Sequence, residues 1–277
     1  MTEMTLFKTG KKIIECLEQA GYEGYFVGGA VRDYTLGRAV NDVDITTNAL
    51  PDTIETLFDK TIDVGKEHGT VIVLMDDIPF EVTTYRVEGD YTDHRRPDQV
   101  YFTKHLKEDL SRRDFTINAM AMTGTMALYD PFEGMADLDK KVITTVGKAD
   151  ERFNEDALRM LRAVRFMSQL DFSLSKSTED AITHHAHLLD YIAVERITAE
   201  LEKLYKGINV NGAKEIIAGS LLAYMPFFKE INTEAYLKAQ ADSLESDVII
   251  QIFNNPQLGG FLSALKLSNQ QKLTIKE

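Results

Sequence analysis

Residues 28–45 read GGAVRDYTLGRAVNDVDI, and this stretch decides the fold of the first half of the chain. The apolar run 25–27 before it predicts a short strand, which the two glycines end. Residues 30–36 then predict a helix, and residues 43–46 predict a second strand. Strand and helix signals that alternate in this way are typical of an α/β domain.

Two aspartates lie two positions apart in this stretch. Side chains at positions i and i+2 of a strand point to the same face, so Asp42 and Asp44 are expected to lie together. Two neighbouring carboxylates repel each other unless a cation lies between them. Mg²⁺ is usually held by one or two carboxylates together with substrate phosphates. Two aspartates with this spacing more often lie in a turn or on a surface strand than in a metal site. The neighbouring sequence must therefore decide between these interpretations.

The glycine turn before the aspartates provides such surroundings. Glycines let the backbone approach a phosphate chain, and the start of the following helix offers free N–H groups to it. Arg32, one helical turn further on, is placed to hold phosphate oxygens with two donors. A turn that needs glycine only for tight packing explains the pattern equally well.

A predicted hairpin adds a candidate third carboxylate. The β-rich runs 70–74 and 80–85 flank a turn at residues 76–79. Glu81 lies on the second of these strands, which could pair beside the strand that carries the aspartates. A metal-facing carboxylate and an exposed strand glutamate are both open interpretations of this residue.

Composition places the chain among ordinary globular proteins. It has 277 residues, of which 44% are hydrophobic and 27% charged, enough for one large domain or two modest ones. No apolar run approaches the roughly 20 residues that a membrane helix needs. The N-terminus lacks the core of a signal peptide. The single cysteine, Cys16, allows no disulfide within the chain, so a cytoplasmic location is expected.

The formal net charge of −13 argues against a protein that coats nucleic acid through bulk charge. Any contact with RNA must therefore use local clusters of basic residues. The sequence offers three clusters, for which solvated faces are the ordinary alternative: Arg95 and Arg96; Lys104, Lys107, Arg112 and Arg113; and Arg152, Arg159, Arg162 and Arg165.

The periodicity of the sequence changes near residue 148. Before it, strands and helices alternate, with a polar loop at residues 86–99; after it, the pattern is helical. A long helix is predicted over residues 149–170, and residues 248–253 are the one later segment with a strand signal. The periodicity therefore predicts an α/β head over residues 1–147, followed by an all-α region.

Five motifs in order resemble those of the class II tRNA nucleotidyltransferases and their relatives, the bacterial poly(A) polymerases. The resemblance covers about the first 205 residues. It rests on GGAVRD with NDVDI (28–33 and 41–45), EGDYTDHRRPDQV (88–100), RRDFTINAMA (112–121), EDALRMLRAVRF (155–166) and ERITAELEKL (195–204).

The resemblance implies a fold and a set of residue roles. The fold would be an α/β nucleotidyltransferase head with a mixed β-sheet, followed by an all-α neck and body. Its domains would be a catalytic head (1–147), a helical neck that selects the nucleotide (148–205) and a helical body, expected to be incomplete (206–277). Asp42 and Asp44 match positions that bind Mg²⁺. The positions that match nucleotide contacts are Gly29, Arg32 and Arg113 in the head, and Asp156, Arg159, Arg162 and Arg165 in the neck.

The neck residues also fit the chemistry of base selection. If residues 155–166 are helical, Asp156 and Arg159 share one helix face. A carboxylate accepts from the exocyclic amino group of cytosine or adenine, and a guanidinium donates to the adjacent ring nitrogen. Uracil and guanine reverse this pattern and would leave buried groups unpaired, at a cost of about 1–3 kcal/mol each. An exposed basic stripe is the alternative interpretation of the three arginines.

The sequence thus predicts an enzyme that adds C, C and A to the 3′ end of tRNA without a template. CTP and ATP would be its substrates, Mg²⁺ its cofactor, tRNA its partner and pyrophosphate the product, with no membrane involved and an oligomeric state that the sequence leaves open. Ala157 favours this over a bacterial poly(A) polymerase, in which a proline is expected there. Enzymes that add only CC or only A, a silent RNA-binding relative and a small-molecule nucleotidyltransferase remain alternatives.

Overall fold

The computed structural model describes residues 3–89, 91 and 99–276. Within these residues the chain forms two compact units. The first unit comprises residues 3–89 and 99–140, and the second comprises Tyr91 and residues 141–276. The predicted domain boundaries at 147 and 205 stay predictions.

The first unit is built around a mixed β-sheet. Its helices are α1 (Glu3–Gln19), α2 (Gly29–Thr35), α3 (Pro51–Leu57), α4 (Leu106–Ser111) and α5 (Gly134–Lys140). Its strands are β1 (Gly24–Val27), β2 (Asp44–Thr47), β3 (Thr61–Gly65), β4 (Thr70–Met75), β5 (Ile78–Thr84), β6 (Arg86–Glu88), β7 (Val100–Phe102), β8 (Ala121–Met122) and β9 (Leu128–Tyr129).

In the described residues the main sheet has seven strands in the order β3-β4-β5-β2-β1-β8-β9. The β2–β5 pair is parallel and its neighbours are antiparallel, which confirms the predicted mixed sheet. Helix α1 packs on this sheet with Ile13, Ile14 and Leu17 fully buried. Gly10 permits the close approach, because a Cβ atom there would lie 2.8 Å from the ring of Phe26.

The β4–β5 hairpin differs from its prediction in the length of the turn. The turn consists of Asp76 and Asp77, with φ angles of 52° and 60°, whereas Ile78 and Pro79 already belong to β5. Positive φ at both central residues is the type I′ geometry that matches the twist of a two-residue hairpin. Aspartate tolerates this geometry better than most residues, so the turn can be short.

The polar segment 86–99, predicted as a loop, begins with β6, which pairs with β7 in a two-stranded ribbon. The loop prediction was therefore wrong for residues 86–88. Residues 90 and 92–98, which include most of the EGDYTDHRRPDQV motif with Arg95 and Arg96, lie outside the described residues.

The second unit is mainly helical. Its helices are α6 (Ala149–Glu155), α7 (Leu158–Leu170), α8 (Lys176–His185), α9 (Val194–Leu204), α10 (Val210–Ile216), α11 (Thr233–Lys238), α12 (Leu244–Asn254) and α13 (Asn269–Lys276). Strand β10 (Val142–Ile143) precedes α6, and strand β11 (Ser173–Leu174) follows α7. The two strands, of two residues each, pair in parallel.

Two predictions for this unit were wrong. The strand signal at residues 248–253 belongs to α12, whose Ser243 cap forms a capping box that starts the helix. The single long helix predicted over residues 149–170 is instead two helices that meet at Asp156. None of the helices in the described part of the chain is long and apolar enough to cross a membrane.

A buried ion pair links α10 to α12. Lys214, 2% exposed, donates from Nζ to Oδ2 of Asp247 at 2.6 Å, and Asp247 is fully buried. Tyr205 donates to the same carboxylate, and Gln251 donates to its other oxygen at 3.0 Å. The Lys214 ammonium also lies 4.4 Å from the centre of the Tyr236 ring. Each charged group thus has several partners, as burial of charge requires.

We expect Lys214→Ala to destabilise the second unit strongly. Removing one member of a buried pair leaves an uncompensated charge, at a cost of about 3–5 kcal/mol. Lys238→Ala is the matched control, since its ion pair with Glu234 is 75% exposed on both sides. The free energy of unfolding from urea titration measures both variants. Equal stability of the two would mean that the buried network contributes nothing specific.

Candidate active site

The glycine turn between β1 and α2 lies against two arginine side chains. Gly28 has a φ angle of 72°, in the region that favours glycine. A Cβ atom on Gly28 would lie 3.2 Å from Nη1 of Arg113, and one on Gly29 would lie 3.5 Å from Nη2 of Arg32. The turn therefore places bare backbone beside two guanidinium groups, as the sequence pattern anticipated.

Arg32 is held in a fixed orientation. Its Nε and Nη2 donate to the two carboxylate oxygens of Asp33, each at 2.9 Å, and its Nη1 donates to Oδ1 of Asn118 at 2.7 Å. Asn118 in turn donates to Oδ1 of Asp114 at 3.1 Å. The side chain is 8% exposed, so the guanidinium is oriented before any ligand arrives.

Arg113 lies at the other side of the turn and is held less completely. Its Nη2 lies 3.5 Å from Oδ2 of Asp109, a fully buried carboxylate. Its Nε is buried and has no hydrogen-bond partner among the described residues. Burial lowers the pKa of Arg113, with Asp109 and Asp44 acting in the opposite direction. A buried, unpaired donor is rare in proteins and is typical of a site that awaits an anionic ligand.

The three predicted carboxylates lie together. Ile45 pairs with Val82 in the parallel β2–β5 ladder, so Asp44 and Glu81, one residue earlier on each strand, are neighbours. Asp42 lies before β2 and not on it, because the strand begins at Asp44. The alternation of exposed Asp42 and Asp44 with buried Val43 nevertheless keeps both aspartates on one side.

The crowding of these carboxylates has an electrostatic consequence. The pKa of Asp44 is raised from 3.8 to about 6: loss of hydration is the largest cause, the charges of Glu81 and Asp42 add to it, and Arg113 opposes it. Asp44 still keeps an exposed surface, so water screens part of this repulsion. The arrangement concentrates negative charge that a cation would neutralise.

The donor set fits a divalent cation that phosphates help to hold. Among the residues that the structure describes, no group of three or more His, Cys, Asp or Glu side chains is arranged to enclose a metal by itself. Mg²⁺ does not need such a cage, since it keeps waters and is bound through one or two carboxylates plus substrate phosphates. Asp42 and Asp44 offer that number of ligands.

In the second unit, Asp156 lies at the break between α6 and α7. Its φ and ψ angles are −133° and 103°, so it is not helical and does not share a helix face with Arg159 as predicted. Its Oδ1 accepts from the backbone N–H of Leu158 at 3.0 Å, and its Oδ2 accepts from Nη2 of Arg196 at 3.0 Å. These two bonds fix the plane of the carboxylate at the start of α7.

The three arginines of α7 do not form an exposed stripe. Arg159 and Arg165 are each 8% exposed, and Arg162 is intermediate. Arg159 Nη1 donates to Oε2 of Glu155 at 2.5 Å and to the backbone carbonyl of Arg152 at 3.2 Å. The alternative interpretation of a solvated basic face is therefore wrong.

Phe166 lies beside the other two arginines. The Arg165 guanidinium lies 4.0 Å from the centre of this ring and donates from Nε to Oε2 of Glu200 at 2.5 Å. The Arg162 guanidinium lies 5.6 Å from the same ring. Both distances are within the range of cation–π attraction.

The sequence predicted the arginines and missed the groups that orient them. Asp33, Asn118, Arg196 and Glu200 lie inside the quoted motifs, so the motifs themselves were the available signal. Asp109 lies outside the motifs. Its position three and four residues before Arg112 and Arg113 was the only signal, and such spacing is common on any helix.

Comparison with known families supports the division into two parts. The Poly A polymerase head domain matches residues 24–144. A second family, described as a probable RNA and SrmB-binding site of polymerase A, matches residues 171–231.

The curated relatives include CCA-adding enzymes of Staphylococcus haemolyticus and Geobacillus kaustophilus. The first is 46% identical over 273 residues, which cover 98% of this chain and 68% of the relative. The second is 54% identical over 221 residues, which cover 79% of this chain and 55% of the relative.

A solved structure, that of the Bacillus stearothermophilus CCA-adding enzyme in complex with CTP, superposes with a TM-score of 0.82 at 44% identity. The superposition covers 95% of this chain and 67% of the other. These matches confirm the fold and the family that the motifs predicted. With this identity over nearly its whole length, the chain belongs to the CCA-adding enzymes, a family of tRNA nucleotidyltransferases.

Proposed function

We propose that this chain adds C, C and A to the 3′ end of tRNA, using CTP and ATP and releasing pyrophosphate. The observation that carries the proposal is the group of Asp42, Asp44 and Glu81 in the first unit, which also holds the arginine-lined glycine turn. The composition, with one cysteine, supports a cytoplasmic location.

Enzymes of this family are generally metal-dependent. We propose Mg²⁺ as the metal, held by Asp42 and Asp44, with Glu81 as a further carboxylate beside them. Bound there, the metal would lower the pKa of the attacking 3′-hydroxyl and stabilise the charge on the leaving pyrophosphate. The raised pKa of Asp44 supports this assignment, since a cation would compensate for the lost hydration and the neighbouring charges that raise it.

The residues of the glycine turn would bind and orient the triphosphate. Gly29 leaves room for the phosphate chain, and Arg113 offers the unpaired Nε donor to it. Arg32, already oriented by Asp33 and Asn118, presents its charge without further loss of side-chain entropy. Positioning and charge stabilisation are the main sources of rate in phosphoryl and nucleotidyl transfer.

The residues around Asp156 would select the base. A carboxylate has about four acceptor positions, and the bonds from Leu158 and Arg196 use two of them. The remaining positions can accept from the amino group of cytosine or adenine. Arg159, three residues further along the chain, would offer a guanidinium N–H to the ring nitrogen. Arg162 and Arg165 would add positive charge near the nucleotide or the RNA backbone.

A primer-extension assay tests the proposed function. A tRNA that lacks its CCA end is incubated with Mg²⁺ and CTP, ATP or both, and the products are resolved to single nucleotides. We expect two additions with CTP alone and a third with both nucleotides. A long ladder with ATP alone would identify a poly(A) polymerase, and no addition with CTP still bound would identify a silent relative.

In the same assay Asp42→Ala should reduce addition by at least about 10³-fold, because it removes a proposed metal ligand. Asp77→Asn is the control: it also removes an aspartate charge from the first unit, at an 86% exposed turn position with a φ angle of 60° that asparagine accepts. Addition by Asp42→Ala at the rate of the control would refute the metal site.

Asp44→Asn should stabilise the metal-free protein at pH 7 while it abolishes addition. The folded-state pKa of Asp44 is raised from 3.8 to about 6, so the folded protein holds this proton more tightly than the unfolded chain. The stability that this group contributes therefore falls as the pH rises from about 4 to 6. Allowing for solvent screening, we expect a gain of about 1 kcal/mol at pH 7.

Urea unfolding in EDTA at pH 4 and pH 7 measures this effect. The gain should be present at pH 7 and small at pH 4, where Asp44 is largely protonated in the folded protein. An Asp44→Asn variant that is no more stable than the parent at pH 7 would show that the carboxylates do not repel each other as described.

Arg159→Ala should relax base choice more than it affects folding. Loss of one charged donor to the ring nitrogen should cost CTP about 1.5–3 kcal/mol relative to UTP, since UTP gains nothing from that donor. The ratio of kcat/KM for CTP and UTP measures the change. Lys176→Ala, whose side chain is 82% exposed, is the control for loss of positive charge in the same unit. An unchanged ratio in Arg159→Ala would contradict the proposed role.

A further inference from the structure

A cleft of about 480 Å³ in the first unit contains none of the residues assigned above to catalysis or nucleotide binding. It lies at the start of α4 and beside the β8–β9 hairpin. The side chains that matter to its chemistry are Glu23, Tyr25, Lys104, His105, Lys107 and Tyr129. Its volume is within the range of small-molecule sites, which is about 300–1,000 Å³.

The acceptor in this cleft has a fixed position. Glu23 lies at the end of β1, and its Oε2 accepts from the hydroxyl of Tyr85 at 3.0 Å. Tyr85 is fully buried, so the bond anchors the carboxylate to the core. The backbone around Glu23 is also held, because its N–H donates to Asn48 and its carbonyl accepts from Thr47. Among the described residues, Oε1 of Glu23 has no hydrogen-bond partner and is available to a donor on a ligand.

Aromatic surface lines the same cleft. Tyr25 is half-buried on the central strand β1, and Tyr129 is 39% exposed on the edge strand β9. The two hydroxyl groups are close enough that Tyr129 contributes to the raised pKa of Tyr25, after burial and the charges of Glu23 and Glu18. Accessible tyrosine rings stack on flat ligands such as nucleic-acid bases.

Positive charge lines one side. Lys104, His105 and Lys107 are exposed, and neither lysine forms an ion pair within the part of the chain that the structure describes. The lysines suit a phosphate group as point charges.

The three features together specify one class of ligand. A lone phosphate would use the lysines but would be repelled by Glu23 and would leave the rings unused. An acidic peptide would meet the same repulsion. A nucleotide offers a phosphate to the lysines, a flat base to the tyrosines and, if the base is adenine, cytosine or guanine, an amino donor to Glu23.

We propose that this cleft is a second nucleotide site, which takes a nucleoside phosphate whose base carries an exocyclic amino group. The nucleotide is either free in solution or part of an RNA chain. The site differs from the proposed catalytic site in its residues, so its occupancy does not depend on the reaction assigned there.

The chain has no tryptophan, so a single introduced tryptophan reports binding at this site by fluorescence without a signal from other tryptophans. Leu128 lines the cleft and is 40% exposed, so Leu128→Trp places a single fluorophore there with little expected disturbance. Leu50→Trp is the matched control: Leu50 is an exposed leucine of the same unit that does not line the cleft. AMP and IMP are the probes, since IMP lacks the amino group.

We expect AMP to change the fluorescence of Leu128→Trp and not that of Leu50→Trp, and to bind roughly tenfold more tightly than IMP. Adding Glu23→Gln to Leu128→Trp should remove the preference for AMP. Adding Lys104→Ala and Lys107→Ala instead should weaken both ligands several-fold and flatten the salt dependence. Thermal unfolding of each variant checks that it is folded.

Titration of the same Leu128→Trp reporter with tRNA lacking CCA shows whether the bound nucleotide is free in solution or part of an RNA chain. A fluorescence change with tRNA that the Lys104→Ala and Lys107→Ala changes weaken identifies a nucleotide of the RNA as the ligand. A response to AMP without a response to tRNA identifies a free nucleotide. Absence of any response to AMP and to tRNA, or equal binding of AMP and IMP that Glu23→Gln leaves unchanged, overturns the proposal.

Discussion

The repulsion between carboxylates at the start of β2 is the constraint around which the first unit is arranged. The parallel register of β2 and β5 sets Asp44 beside Glu81, and the extended chain before β2 sets Asp42 on the same side. The nearby charge of Arg113 opposes this crowding. Proteins retain unfavourable arrangements of this kind at functional sites, where a ligand relieves them.

Buried acids organise the basic groups on both sides of this site. Asp109 is fully buried, yet it contacts Arg112 and Arg113, and it accepts the backbone N–H of Arg86. Asp33, which is partly exposed, orients Arg32 with two hydrogen bonds. Because a paired guanidinium loses little entropy on binding a phosphate, these acids improve positioning even though they reduce the local positive charge.

The sequence alone was sufficient to predict the family and the order of strands and helices in the head. It also indicated which charged residues are candidates for the site. Glycine pairs, alternating apolar residues and the order of the motifs are local signals in the sequence. The structure contains the strands and helices that they predicted in the head. The break at Asp156 was not predictable from periodicity, because apolar residues keep helical spacing across the junction: Phe153, Ala157, Leu161 and Val164. The hydrogen bonds that Asp156 accepts from Leu158 and Arg196 mark this position as the start of a helix and not its interior.

Other features depend on contacts that are distant in sequence. The strand signal at residues 248–253 is a run of apolar residues that a buried helix and a strand share, and the ion pair between Asp247 and Lys214 fixes the helix in place. The position of Glu81 beside Asp44 depends on a pairing between residues 37 positions apart, which the hairpin pattern suggested but could not establish.

The pairing of arginines with acids also explains how a chain of net charge −13 can suit a polyanionic partner. Arg32, Arg113, Arg159 and Arg165 each have a carboxylate within 3.5 Å. Such pairs contribute little long-range attraction, so non-specific binding to nucleic acid is weak. They contribute strongly at contact distance, where oriented donors recognise a phosphate or a base edge. A chain of this acidic composition therefore binds nucleic acid less strongly overall and discriminates more sharply between ligands. An enzyme that selects a nucleotide without a template requires this discrimination.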